Sequence, residues 1–161
     1  MPNRKSDTVV NLVVAGLGGQ GVLKASEILA TVAFLAGLDV KKSEIHGMSQ
    51  RGGSVSSDVR YGAKVHSPMV PAGEADFLVV LTESQVDVAR PMLKANGVLI
   101  VPAAVPADQL PNKKSLNVAL LGTLAKHLEF PVDVWHAAIK QKLPEKLHEV
   151  NLAAFELGRT V

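Results

Sequence analysis

Residues 8–21 read Thr8-Val9-Val10-Asn11-Leu12-Val13-Val14-Ala15-Gly16-Leu17-Gly18-Gly19-Gln20-Gly21, and a long apolar-striped stretch follows. The run from Val9 to Ala15 is nearly continuous in apolar residues rather than alternating. That predicts a parallel strand buried on both faces. A strand that passes through a glycine turn into a helix is the phosphate-binding arrangement of α/β proteins. In that reading Gly16 permits a sharp turn, Gly18 leaves room for an anion at the backbone, and Gly21 lets the helix pack tightly on the strand. The free N–H groups and dipole of the helix favour a negative group there. Close helix–strand packing explains the same glycines, and both explanations stay open at this point.

Working outward, the stretch from Gly21 to Leu35 carries Val22, Ala25, Leu29, Val32 and Ala36 on one stripe and predicts a largely buried helix. Gly37 supplies its stop. Asp39 to Ser43 reads as a short second strand. Ser54 to Tyr61 and Lys64 to His66 read as an antiparallel hairpin around Gly62-Ala63. Phe77 to Leu81 and Val98 to Val101 predict two more strands, with a helix from Gln85 to Leu93 between them and a turn at Asn96-Gly97. Beyond a proline-rich loop, Leu116 to Leu128, Val132 to Lys142 and a last segment opened by Pro144 and closed before Gly158 read as helices. The expected fold is a three-layer α/β domain over residues 1–161, with a mostly parallel Rossmann-like sheet, an antiparallel hairpin and a helical C-terminal region.

Composition narrows the function. The chain has 161 residues, 47% of them hydrophobic, and a net charge of +2, which suits one globular domain rather than a disordered segment. The basic residues are scattered, which argues against nucleic acid as a partner. With no cysteine there is no disulfide, no thiolate nucleophile and no cysteine-ligated iron–sulfur cluster. No apolar run approaches the roughly 18 residues of a membrane span. Met1 to Asp7 lacks the apolar segment of a signal peptide, so a soluble cytoplasmic protein is expected. The five histidines have no ligand-like spacing, and no metal site is expected.

The loop His46-Gly-Met-Ser-Gln-Arg-Gly-Gly53 places an imidazole, a hydroxyl, an amide and a guanidinium between glycines. If the second strand lies beside the first, this loop meets Gly18-Gly19-Gln20 at the sheet edge where open α/β sheets bind ligands. Arg51 can hold a phosphate or carboxylate through its fork, and Gln20 and Gln50 can both donate and accept. A structural turn or a subunit contact accounts for the loop equally well. An NAD site would want an acid at the end of the second strand. Asp39 and Glu44 are poorly placed for it, and Lys41 and Lys42 occupy the strand instead.

The turn Gly16-Leu-Gly-Gly-Gln-Gly-Val22 and the loop His46-Gly-Met-Ser-Gln-Arg-Gly-Gly-Ser-Val55 together resemble the gamma subunit, or gamma domain, of the 2-oxoacid:ferredoxin oxidoreductases. That family includes pyruvate, 2-oxoglutarate, 2-oxoisovalerate and indolepyruvate enzymes. The resemblance runs on through Ala75-Asp76 and Asn96-Gly97 to Asn151-Leu-Ala-Ala-Phe-Glu-Leu-Gly158. It implies a non-catalytic subunit of an enzyme that oxidatively decarboxylates a 2-oxoacid and reduces ferredoxin. Thiamine diphosphate, iron–sulfur clusters and coenzyme A belong to the complex, and thiamine-binding and ferredoxin-like chains are the implied partners in an oligomer. The residues it marks as cofactor-binding are Gly16, Gly18, Gly19, Gln20, Gly21, His46, Ser49, Gln50, Arg51, Gly52 and Gly53, none with a catalytic role. The loop's spelling leans toward the indolepyruvate members. The alternatives are a free-standing nucleotide- or CoA-binding module and an NAD-dependent oxidoreductase.

Overall fold

The computed structural model describes residues 8–46 and 53–161, position 46 by its backbone. Five strands, β1 (Val10–Leu17), β2 (Asp39–His46), β3 (Ser54–Gly62), β4 (Ala75–Val80) and β5 (Leu93–Ile100), form one sheet in the order β2-β3-β1-β4-β5. β4 is parallel to both β1 and β5, whereas β3 is antiparallel to β1 and to β2. Four strands therefore share one direction, and β3 alone is reversed.

The apolar run of β1 is explained by its two faces. Leu12 and Val14 belong to a large core shared with the helices α1 (Val22–Leu35), α3 (Leu116–Ala125), α4 (Val132–Lys142) and α5 (His148–Thr160). Val13 and Ala15 belong to a smaller core on the opposite face, with Leu78, Val80, Val70 and the short helix α2 (Val86–Ala89). A strand buried on both sides has no polar positions to alternate with. Trp135 is fully buried in the large core, its ring 5.5 Å from that of Phe155.

Several expected elements move. The antiparallel hairpin exists, but it joins β2 to β3, with Asp39 opposite Gly62 and His46 opposite Val55. Lys64–His66 forms no strand, because side chains take up the backbone groups of its segment. Asp39 Oδ2 accepts from Val65 N–H at 2.7 Å, Asp58 Oδ2 from Val70 N–H at 2.9 Å, and Arg60 Nη1 donates to the Ser67 carbonyl at 2.8 Å. Burial pushes the Asp58 carboxyl up, against the opposing pull of the Val70 N–H and of Arg60. The Val65 N–H holds the carboxyl of Asp39 down.

The expected helix Gln85–Leu93 is broken into α2 between two 3-10 turns, Glu83–Gln85 and Arg90–Met92, since Pro91 has no N–H to continue it. β5 starts at Leu93, and its pairing with β4 jumps from Ala75↔Leu93 to Phe77↔Val98, so Asn96-Gly97 lies inside this irregular stretch. α3 ends at Ala125 rather than Leu128. Lys126, His127 and Leu128 each donate three residues back, tightening the last turn. Gly158 does not end a helix but lies inside α5, which continues to Thr160. A Cβ on it would collide with the Ala119 carbonyl oxygen of α3 and sit 2.7 Å from that carbonyl carbon. Gly122 of α3 faces α5 in the same way, 2.9 Å from Arg159 N for an added Cβ. The two glycines let the helix backbones touch.

Candidate functional site: the glycine turn between β1 and α1

β1 delivers the turn to the C-terminal edge of the sheet, where Leu81 N–H donates to the Ala15 carbonyl at 2.8 Å and extends the β1–β4 pairing. Gly16 is still in the strand, opposite Val55. It makes no sharp turn. A Cβ there would lie 2.8 Å from Gln20 Oε1 and 3.0 Å from Val22 Cγ2, so Gly16 supplies the space into which Gln20 folds back. Gln20 Oε1 accepts from Leu17 N–H at 2.7 Å, and Gln20 N–H donates to the Leu17 carbonyl at 3.2 Å. The acceptor of that carboxamide is thus spent on closing the turn.

The left-handed conformations fall on Gly19 (φ 88°) and Gly21 (φ 82°), and Gly18 is not among the positive-φ glycines. A Cβ on Gly19 would meet nothing within 4 Å, so its need for glycine is conformational. Gly18 N–H donates to the Gly53 carbonyl at 2.8 Å, which removes it from the donors free for an anion. Gly21 is the N-cap residue of α1. It packs against Asn117 of α3 rather than on the strand: an added Cβ would collide with Asn117 Nδ2 and lie 3.1 Å from its Cγ.

Among the described residues no side chain caps α1, and no acid stands in its first turn. Its first N–H groups have no partner inside the helix, and the positive end of its dipole lies there. Lys24 is paired with Glu27 at 3.2 Å. A cavity of about 450 Å³ opens on one side of the turn, lined by Gly19, Gln20, Gly21, Lys113, Lys114 and Asn117. A second of about 380 Å³ lies on the other side, against Gly18, Val22, Leu23, Lys24 and Val55. The arrangement offers backbone donors, a helix dipole and two lysines with no ion-pair partner among the described residues, which is the chemistry that holds a phosphate or carboxylate.

The expected juxtaposition of loop and turn is met in an altered form. β2 is not beside β1; the reversed β3 lies between them. β3 nevertheless starts at the same edge, with Ser54 opposite Leu17, and Gly53 touches Gly18. His46 ends β2 opposite Val55. Ser49, Gln50, Arg51 and Gly52 lie outside the described residues. The two acids weighed for a ribose are engaged elsewhere: Glu44 pairs with Lys42 and Asp39 holds Val65. Lys113, Lys114 and Asn117 were not singled out in the sequence. Asn117 reaches Gly21 across 96 positions, and no local pattern announces such a contact.

Residues 11–161 match the family described as pyruvate ferredoxin/flavodoxin oxidoreductase. The indolepyruvate oxidoreductase subunit IorB of Pyrococcus horikoshii is 33% identical, over 92% of this chain and 93% of that protein. Among solved structures, the keto/oxoacid ferredoxin oxidoreductase gamma subunit of Geobacter sulfurreducens superposes with a TM-score of 0.78 at 24% identity, covering 93% of this chain and 96% of that one. The 2-oxoglutarate:ferredoxin oxidoreductase of Magnetococcus marinus, solved with 2-oxoglutarate, coenzyme A and succinyl-CoA bound, gives 0.83 at 18% identity over 95% of this chain and 31% of that chain. The last two establish the fold. The pyruvate/ketoisovalerate oxidoreductases common subunit gamma of Pyrococcus abyssi is 30% identical over 86% of this chain and 89% of that protein. With this likeness, and with the family match spanning nearly every residue from β1 to the end of α5, the chain belongs to the pyruvate ferredoxin/flavodoxin oxidoreductase family, as a gamma-type member.

Proposed function

We propose that residues 1–161 act as the non-catalytic gamma-type subunit of a cytoplasmic 2-oxoacid:ferredoxin oxidoreductase, assembled with thiamine-binding and ferredoxin-like chains. The observation that carries this reading is the family match over residues 11–161. Its substrate belongs to the pyruvate, 2-oxoglutarate or indolepyruvate class. Indolepyruvate is favoured by the 33% identity, at nearly full coverage of both chains, to a subunit bearing that name. The lack of cysteine supports placing the clusters on other chains.

The glycine turn, with Gly16, Gly18, Gly19, Gln20 and Gly21, and the loop from His46 through Ser49, Gln50, Arg51 and Gly52 to Gly53, form the surface toward an anionic group, for which the phosphates of coenzyme A are the candidate. The N-terminus of α1, uncapped by any described side chain, and Lys113 and Lys114, without an ion-pair partner among the described residues, support this. Their chemistry fits a phosphate. When bound, coenzyme A accepts the acyl group. This chain's part is to hold its charged end, with Gly16 and Gln20 keeping the turn in shape.

The test is reconstitution. The purified chain, given 2-oxoacids, thiamine diphosphate, coenzyme A and an artificial electron acceptor, shows no turnover above a no-protein control. Activity appears only when partner chains that co-purify with it from the native cell are added. Turnover by the chain alone refutes the subunit reading. A strict monomer that binds no thiamine-binding or ferredoxin-like chain does so too, and favours the free-standing CoA-binding module.

A further inference from the structure

The carbonyl of Gly21 receives two donors. One is the first intrahelical N–H of α1, Ala25, at 3.0 Å. The other is Asn117 Nδ2 at 3.2 Å, from the first turn of α3. An oxygen with two lone pairs accommodates both. Asn117 is only 8% exposed, and its own Oδ1 accepts from Val118 N–H at 2.9 Å. Both ends of the carboxamide are therefore used, and its orientation is set by backbone on each side. Asparagine is an indifferent helix residue, and an apolar side chain would suit a buried helix face better. What it does here is reach another element.

The fit is reciprocal. Gly21 stands at φ 82°, and a Cβ on it would strike the Asn117 amide. The cap residue has no side chain because Asn117 occupies that place, and Asn117 takes over the task of locking the cap. The angle at which the Val22, Leu23 and Lys24 N–H groups leave the turn follows from the Gly21 conformation. These three residues line the smaller cavity. The larger cavity is bounded by Asn117 itself.

We propose that Asn117 is a positioning residue for anion binding at the glycine turn: by donating to the Gly21 carbonyl it fixes the left-handed cap and so aims the first N–H groups of α1. The proposal rests on the anion-binding reading of the turn given above. It adds a residue from a distant helix whose carboxamide bonds backbone at both ends and acts through Gly21. Asp at position 117 keeps the shape but puts a carboxylate oxygen against the Gly21 carbonyl oxygen, and so reverses the interaction. Ala removes it.

The experiment uses the full chain, with coenzyme A as probe and inorganic pyrophosphate as competitor. Backbone amide resonances of residues 21–25, the Asn117 side-chain NH2 resonances, calorimetric affinity and the melting temperature are recorded for the wild type, Asn117→Asp and Asn117→Ala. The expected result is at least a tenfold loss of coenzyme A affinity in both variants. The amide shifts of residues 21–24 move, while resonances in β4 and α4 stay in place. A purely structural role would lower the melting temperature and leave the affinity of the folded fraction unchanged, which overturns the proposal. Unmoved amide shifts at residues 21–24 overturn it as well. If both variants fail to fold, the wild type decides. Coenzyme A addition must shift the Asn117 NH2 resonances, and their indifference overturns the idea. If the wild type binds neither probe, the anion reading fails. Displaced turn amides in Asn117→Asp then still support Asn117 as the lock of the cap, whereas unmoved ones refute that too.

Discussion

Gly158→Ala is a severe test of the fold, because local and tertiary physics pull in opposite directions. Inside a helix, alanine is favoured over glycine by about 1 kcal/mol, so α5 taken alone would gain. Against that, the new Cβ lies 2.7 Å from the Ala119 carbonyl carbon and overlaps its oxygen. Ordinary carbon contacts sit at about 3.5–4.0 Å, so α3 and α5 must part by roughly 1 Å. The seam between them includes Gly122, Phe155 and Thr123, whose hydroxyl donates to the Gly158 carbonyl, and a gap of that size forfeits about a quarter to a half of each contact's attraction. Overpacking of this kind costs about 3 kcal/mol where backbone cannot yield. The net expectation is a loss of about 2 kcal/mol. For a chain of this length that is a fall of about 4–8 °C in melting temperature. Urea unfolding followed by circular dichroism, with the slope compared between variants, measures it. A variant as stable as the wild type, or more so, would mean that propensity governs α5 and that the backbone contact with α3 is not made.

Two further expectations follow from other parts of the molecule. Asp58 has its carboxyl pushed up by burial, so its contribution to stability is full below the unfolded pKa and is lost as pH rises through the folded value. Asp58→Asn therefore gains stability relative to the wild type as pH rises above the ordinary carboxylate range; a difference that is flat, or moves the other way, in unfolding titrations at several pH values removes desolvation as the dominant effect. Arg51→Lys, made in the reconstituted complex, leaves the melting temperature nearly unchanged and lowers activity, because the ammonium lacks the fork of the guanidinium. Full activity removes Arg51 from the functional surface, and loss of folding makes it structural.

How far the sequence could be read depended on whether the deciding contact was local. β1 and α1 were legible because burial on two faces and on one stripe write their periods directly into the chain. α4 matched its expected bounds for the same reason. The hairpin was misplaced because Ser54 to Tyr61 alternates in a way that suits a partner on either side, and side-chain acceptors such as Asp58 compete for the backbone that follows. Gly158 looked like a helix stop. A glycine that serves close approach costs helix propensity in the same way as one that ends a helix, and only its partner Gly122, far along the chain, tells them apart. At the site, the glycines do other jobs than the sequence suggests. Gly16 makes room, Gly18 bonds the loop, and Gly19 and Gly21 bend the chain. Asn117 was invisible, since nothing near residue 117 in the chain points to residue 21.

The reversed strand β3 has a consequence for how changes propagate. Because β3 runs back between β2 and β1, the end of the loop returns to the rim where the glycine turn begins, and Gly18 N–H and the Gly53 carbonyl close a bridge there. Two segments more than thirty positions apart in the chain thus share one degree of freedom. A substitution near Gly53 and one near Gly18 should not add: their joint effect should differ from the sum by a measurable coupling energy, as for any pair in direct contact. Whatever grips the loop from outside also stiffens the turn, and a ligand seated on the turn raises the affinity of the loop for its own contact by the same factor.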